Sequence, residues 1–106
     1  MEQIAMKSNS LEGAVDEQGL TLLDFWAPWC VLSEIMDPLV EDLAEKYRGR
    51  LNVVRVNVDE NADLAARYRV RNVPTLDLVE GGKLIDEFVG MVSRTTVEEA
   101  IERRLV

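Results

Sequence analysis

The residues best placed to do chemistry are Cys30 and Ser33, in the run Asp24-Phe25-Trp26-Ala27-Pro28-Trp29-Cys30-Val31-Leu32-Ser33. Cys30 is the one cysteine in 106 residues. A dithiol redox motif of the Cys-x-x-Cys kind uses one thiol to attack a disulfide and a second to resolve the mixed disulfide that forms. Here a serine holds the second place, and it cannot resolve a mixed disulfide. Histidine is absent, which removes the usual neutral-pH general base and excludes Cys/His zinc ligation. The carboxylates are scattered, with no loop of calcium-ligand spacing. No cofactor and no metal are expected.

The position of Cys30 follows from the elements around it. Residues 20–26 are dense in apolar side chains without clean alternation, which reads as a central strand covered on both faces. Ala27-Pro28-Trp29 breaks that strand. A long helix is expected over residues 31–47, with Leu32, Ile35, Met36, Leu39, Val40, Leu43, Ala44 and Tyr47 spaced by threes and fours. Pro38 lies inside the pattern and should kink it. Cys30 therefore stands at the carboxyl end of a central strand, an edge that ligands of open α/β sheets favour. The free amides of the helix start favour an anion there and should lower the thiol's pKa. Against this, free cysteine is often buried and inert.

The remaining elements complete an α/β order. Residues 4–6 suit a short edge strand. Asn9 or Ser10 could cap a short helix through about residue 17. Residues 51–58 read as a second central strand, with Val54, Val56 and Val58 alternating against Arg55 and Asn57. Asn61 or Asp59 opens a short helix carrying Leu64, Ala65 and Tyr68. Strands over 75–79 and 84–89 are joined by Glu80-Gly81-Gly82-Lys83, which is hairpin spacing and implies an antiparallel pair. Thr95 or Thr96 is expected to cap a last helix, with Glu98 or Glu99 reaching back to its start. The order is β-α-β-α-β-α-β-β-α: a central mixed sheet flanked by helices on both faces, in a single domain spanning residues 1–106.

Bulk composition narrows the partners. Hydrophobic residues make up 47% of the chain, enough to fill one core, and the formal net charge is -8. That charge argues against a nucleic-acid partner, whose phosphates demand a positive footprint, and suits solubility. No apolar run approaches membrane-spanning length, so no membrane partner is expected. The amino-terminal residues carry no basic-then-apolar leader pattern. One cysteine excludes an internal disulfide framework and suggests a reducing compartment, the cytoplasm.

From about residue 20 onward the chain resembles the thioredoxin family. The matching stretches are Asp24-Phe25-Trp26-Ala27-Pro28-Trp29-Cys30, Val56-Asn57-Val58-Asp59 and Val70-Arg71-Asn72-Val73-Pro74-Thr75, with Gly81-Gly82-Lys83 and Gly90 in keeping. The resemblance implies the thioredoxin fold and a role for each position. Cys30 matches the attacking thiol, and Asp24 the buried carboxylate that shuttles a proton. Val73 and Pro74 match the cis-peptide loop that holds a substrate backbone. Trp29 matches the aromatic flank of the substrate groove, and Gly90 the glycine that keeps it open. The family's Cys-Gly-Pro-Cys is Cys30-Val31-Leu32-Ser33 here. Ser33 could still donate a hydrogen bond to a Cys30 thiolate. Val31 and Leu32 either form an apolar rim or cover the thiol. Glu34 stands where the family usually has a basic residue, and it is also an ordinary first-turn acid. Asp24, an acid in an apolar strand, should have a raised pKa, whether as a working relay or an idle one.

Three functions fit these residues. The first is a thiol-disulfide oxidoreductase or redox-linked thiol protein. Cys30 would form a mixed disulfide with a protein disulfide or thiol partner, and an external thiol such as glutathione would release it. The second is a non-catalytic module that uses the groove of Trp29, Val31, Leu32 and Pro74 to hold a peptide or protein. The third is an engineered Cys-to-Ser trapping variant.

Overall fold

The computed structural model of the chain describes residues 3–5 and 19–106. The apolar run at 20–26 becomes the middle of the sheet because it is buried on both faces. In chain order the described elements are β1 (Gln3–Ala5), β2 (Leu20–Trp26), α1 (Val31–Lys46), β3 (Asn52–Asn57), α2 (Ala62–Arg67), β4 (Thr75–Glu80), β5 (Lys83–Val89) and α3 (Arg94–Leu105). The short helix expected through residue 17 lies outside the described residues. The sheet order is β1-β3-β2-β4-β5. β3 runs parallel to both β1 and β2, while β4 pairs antiparallel with β2 and β5 with β4. Successive parallel strands need a crossover, and α1 supplies it between β2 and β3.

Side chains alternate across the sheet and so build two cores. Leu20, Leu22, Val53, Leu76 and Leu78 face α1 and α3. Leu23, Phe25, Val54, Val56 and Val79 face α2. The β4–β5 hairpin closes through Gly81 and Gly82, with φ of 59° and 83°. Two consecutive left-handed residues make the tight turn whose twist matches the flanking strands, and glycine reaches those angles without strain.

Two local expectations are corrected, and one residue left open is placed. First, Leu32 and Ile35 do not pack: both are exposed. The buried line of α1 runs through Ser33, Met36, Val40, Leu43 and Ala44 and on to Tyr47. Leu32 sits at the helix's free end, and Ile35 lies off that line. Secondly, Arg55, to which the alternation assigned no face, is placed by the sheet. It shares a sheet face with Val53 and reaches under α1, where it is half-buried.

Thirdly, α3 begins earlier than Thr95 or Thr96 implied. Ser93 is its N-cap, and the Ser93 oxygen accepts from the Thr96 N–H at 3.2 Å. Thr96 then takes the reach-back position with its hydroxyl 2.8 Å from that of Ser93, and Glu98 pairs with Lys46 and Arg94 instead. Ser93→Ala is therefore expected to cost about 1 kcal/mol of stability. Thr95→Ala should change the urea midpoint little, and a larger loss at Thr95 than at Ser93 would reject this cap.

Candidate functional site

Asp24 is the fifth residue of β2, two before the strand ends, and its side chain is 2% exposed. Parallel pairing puts Arg55 of β3 directly beside it. Arg55 Nε lies 3.3 Å from Asp24 Oδ2, and Arg55 Nη2 lies 2.7 Å from Asp37 Oδ1 on α1. The guanidinium also stacks 4.8 Å from the Trp26 ring. Burial pushes the Asp24 carboxyl up to about 6, with Asp37 adding to the rise and Arg55 opposing it. The raised acid foreseen for Asp24 is present, held by an arginine and a second aspartate that the sequence reading did not single out.

After β2 the chain turns at Ala27-Pro28-Trp29, and the Cys30 N–H donates to Ala27 O at 3.1 Å. Cys30 has extended backbone angles and is the N-cap of α1. Its thiol, part-buried, donates to the carbonyl oxygen of Val73 at 3.5 Å. Val73 belongs to the loop between α2 and β4, so residues 43 apart in sequence meet at one atom pair. The Cys30 thiol's pKa is lowered, first by the Ser33 hydroxyl and then by the backbone N–H groups of Ser33 and Leu32, with burial opposing. In the thiol form Ser33 Oγ is buried without a hydrogen-bond partner. Loss of the proton turns the sulfur from donor to acceptor, and the Ser33 O–H then has a partner to donate to. The thiolate thereby satisfies a group that the thiol leaves orphaned.

Two of the expected groove positions, Val73 and Pro74, lie on the loop beside this sulfur. The Val73–Pro74 peptide is cis, as the family resemblance implied. The Gly90 N–H donates to Pro74 O at 2.8 Å, which ties the end of β5 to the same loop. Gly90 has φ of 81°, and a Cβ there would meet nothing within 4 Å. Glycine is required by the backbone angle, and the space beside it is open. Trp29 is 67% exposed, with its indole Nε1 donating to Asp59 Oδ2 at 3.1 Å. That bond holds the ring upright against a recess of about 270 Å³ bounded also by Val58, Val70, Arg71, Asn72 and Val73. Val31 and Leu32 are exposed, so they form a rim and do not cover the thiol.

Of the expected site residues, Cys30 meets the Val73–Pro74 loop to which Gly90 is tied, Ser33 is buried in the first turn of α1, and Trp29 and Val73 bound one recess. Asp24 does not line it. It lies behind Arg55, which forms one wall of a second recess beside Cys30. Arg55 and Asp37 are the site neighbours that sequence reasoning missed. The available signal was Arg55 itself, a lone charge inside the run Val53-Val54-Arg55-Val56. Among the described residues no group of three or more His, Cys, Asp or Glu side chains could hold a metal ion, and no helix is long and apolar enough to cross a membrane.

A cysteine at the start of a helix, beside a cis-proline loop, with a buried acid behind the wall of the neighbouring recess, in a mixed sheet with this strand order, defines a thioredoxin-fold thiol protein. Comparison with known proteins agrees. The family model described as Thioredoxin matches residues 2–103. Thioredoxin 1 of Nostoc sp. is 41% identical over 91 residues, covering 86% of this chain and 85% of that protein. The thioredoxin of Synechocystis sp. is 38% identical over 94 residues, covering 89% and 88%. Among solved structures, a mutant thioredoxin from Halobacterium salinarum superposes with a TM-score of 0.87 at 33% identity, covering 99% of this chain and 92% of that one. The chain belongs to the thioredoxin family and carries a Cys-x-x-Ser form of its active-site motif. That membership supports a thiol-disulfide redox role in general, and interaction with protein or thiol substrates.

Proposed function

We propose that this protein is a monothiol thiol-disulfide exchange protein acting through Cys30. The observation that carries the reading is the environment of one sulfur. Cys30 sits at a helix start, its thiol's pKa is lowered by Ser33, and it touches the Val73 carbonyl of the substrate-type loop. The Cys30 thiolate attacks a partner disulfide, and the Cys30–partner S–S bond forms as the partner's own S–S bond breaks. The departing partner sulfur leaves with the electron pair and takes a proton. An external thiol of the glutathione type then attacks the partner sulfur of the adduct; a disulfide between that thiol and the partner forms as the Cys30–partner bond breaks, and Cys30 leaves as the thiolate. Asp24, behind the recess, is the buried acid that exchanges the proton, and Ser33 steadies the thiolate. Trp29, Val31, Leu32, Val73, Pro74 and Gly90 receive the partner. Such a site suits isomerisation or removal of a thiol cap, and a reducing compartment such as the cytoplasm keeps Cys30 available.

The exposed rim of Trp29, Val31, Leu32 and Ile35 favours a second reading. On it, the groove holds a peptide or protein without turnover. Alkylation separates the two. The rate of Cys30 alkylation should titrate with a midpoint clearly below the ordinary thiol value of about 8.5. The neutral disulfide of 2-mercaptoethanol should give one adduct per native chain by mass spectrometry, removed by added thiol. Labelling only after unfolding would reject exchange and leave the binding module.

A further inference from the structure

A recess of about 180 Å³ opens beside Cys30, walled by Cys30, Glu34, Asp37 and Arg55 over Trp26 and Pro28. Its charges do not balance. Arg55 is the one cation in that wall among the described residues, and it is already engaged by Asp24 and Asp37. Glu34 is exposed on the first turn of α1, and among the described residues it pairs with no cation. Asp24 behind the wall adds a further negative charge once ionised. The exposed Arg71 bounds the other recess, on the far side of Trp29, whose wall excludes Cys30 and where Asp59 holds the indole. The half of a disulfide lying over the start of α1 therefore meets an acidic surface, on a chain of net charge -8.

We infer that Glu34 makes the Cys30 site select protein disulfides flanked by lysine or arginine over those flanked by acids. This rests on the exchange reading above. The step is the one already balanced: Cys30 sulfur is oxidised, the departing partner sulfur is reduced, and it leaves as a thiolate that takes a proton. A cation beside the scissile bond is drawn to the Glu34 carboxylate as the sulfurs align, and an anion is repelled. For exposed charges a few ångströms apart this amounts to roughly fivefold in rate at low salt, and it fades as ionic strength rises. The thiol that clears the adduct approaches over the same surface, so a cationic thiol should outrun anionic glutathione.

The test uses disulfide dimers of three capped dipeptides, Lys-Cys, Gln-Cys and Glu-Cys, with cystamine as a small-molecule arm. Adduct formation is timed on the full chain and on Glu34→Gln and Glu34→Lys. The readout is the ratio of Lys-Cys to Glu-Cys rates. Changes in the intrinsic reactivity of Cys30 cancel in that ratio, as do differences in leaving thiols when variants are compared. The ratio should fall about 25-fold in Glu34→Gln at low salt, roughly fivefold from each substrate charge, fall further in Glu34→Lys, and shrink in high salt. A ratio unchanged by both substitutions would overturn the assignment to Glu34. A cystamine preference without a Lys-Cys preference would overturn the peptide partner. If the neutral Gln-Cys dimer forms no adduct with the native chain, exchange itself fails, which is a separate result.

Discussion

Coupled to a thioredoxin reductase, the unmodified chain is expected to reduce insulin no faster than background, and Ser33→Cys is expected to raise turnover by about tenfold or more. The reductase passes electrons by reducing a disulfide in its partner, and a chain with one cysteine closes none within itself. The site is otherwise ready for a second thiol. Ser33 lies in the first turn of α1, with its N–H on the Cys30 carbonyl at 3.1 Å. Its side chain is buried and its oxygen lacks a partner in the thiol state. A thiol there acts as a small apolar group with a weak donor, so the substitution costs little stability. The introduced thiolate would attack Cys30 of the mixed disulfide and expel the partner as a thiolate, while Asp24 exchanges the proton. NADPH consumption measures the gain. A folded Ser33→Cys chain without turnover would mean that Val31, Leu32 and Glu34 have turned the rim to binding. Strong turnover by the unmodified chain without added thiol would overturn the one-thiol mechanism.

What the sequence made legible was whatever depends on local period and turn chemistry. Residues 20–26 read as a doubly covered strand because no position is given up to solvent, and the Gly81-Gly82 turn announces its own geometry. Cys30 was legible because a strand end, a breaking Pro28 and a helix start surround it. Arg55 was not. A local alternation of valines with polar residues is satisfied equally by solvent or by a polar pocket under a helix. Only the parallel register, which no local signal sets, puts Arg55 beside Asp24. Asp77 was missed for the same reason. It interrupts Leu76-Asp77-Leu78-Val79, but its meaning depends on Leu23 and Glu87 facing it from two other strands. Ile35 went the other way: its type and spacing fit the core, yet α1 turns a neighbouring line inward. The helix cap was ambiguous because Ser93, Thr95 and Thr96 all have the right oxygen, and only the backbone path chooses among them.

Between pH 6 and pH 8 the protein is expected to lose stability, and Asp77→Asn is expected to remove that loss. Asp77 lies in β4 with no exposed surface, and neither carboxylate oxygen has a partner at full hydrogen-bond geometry. Burial pushes its carboxyl up to about 8, helped by Glu87, which faces it across the β4–β5 pair. A carboxyl raised in the folded state binds its proton more tightly than in the unfolded chain, where its pKa is about 3.9. Its contribution is therefore fully present at low pH, declines as pH rises above that unfolded value, and is gone near the folded value. Asp24 acts with the same sign, but its decline is complete near pH 6. The chain has no histidine to titrate between 6 and 8. Cys30, whose lowered pKa works in the opposite direction, is set aside by measuring in a Cys30→Ser background. The window from 6 to 8 then belongs to Asp77. The loss across it should be about 2 kcal/mol, the linkage slope of one proton at about 1.4 kcal/mol per pH unit flattening toward the folded value, read from urea midpoints at each pH. Asparagine mimics the protonated acid, so Asp77→Asn should keep a flat midpoint from pH 6 to 8 while retaining the Asp24 slope below 6. An unchanged slope in the variant would mean that Asp77 does not titrate between pH 6 and pH 8 and that the loss arises elsewhere.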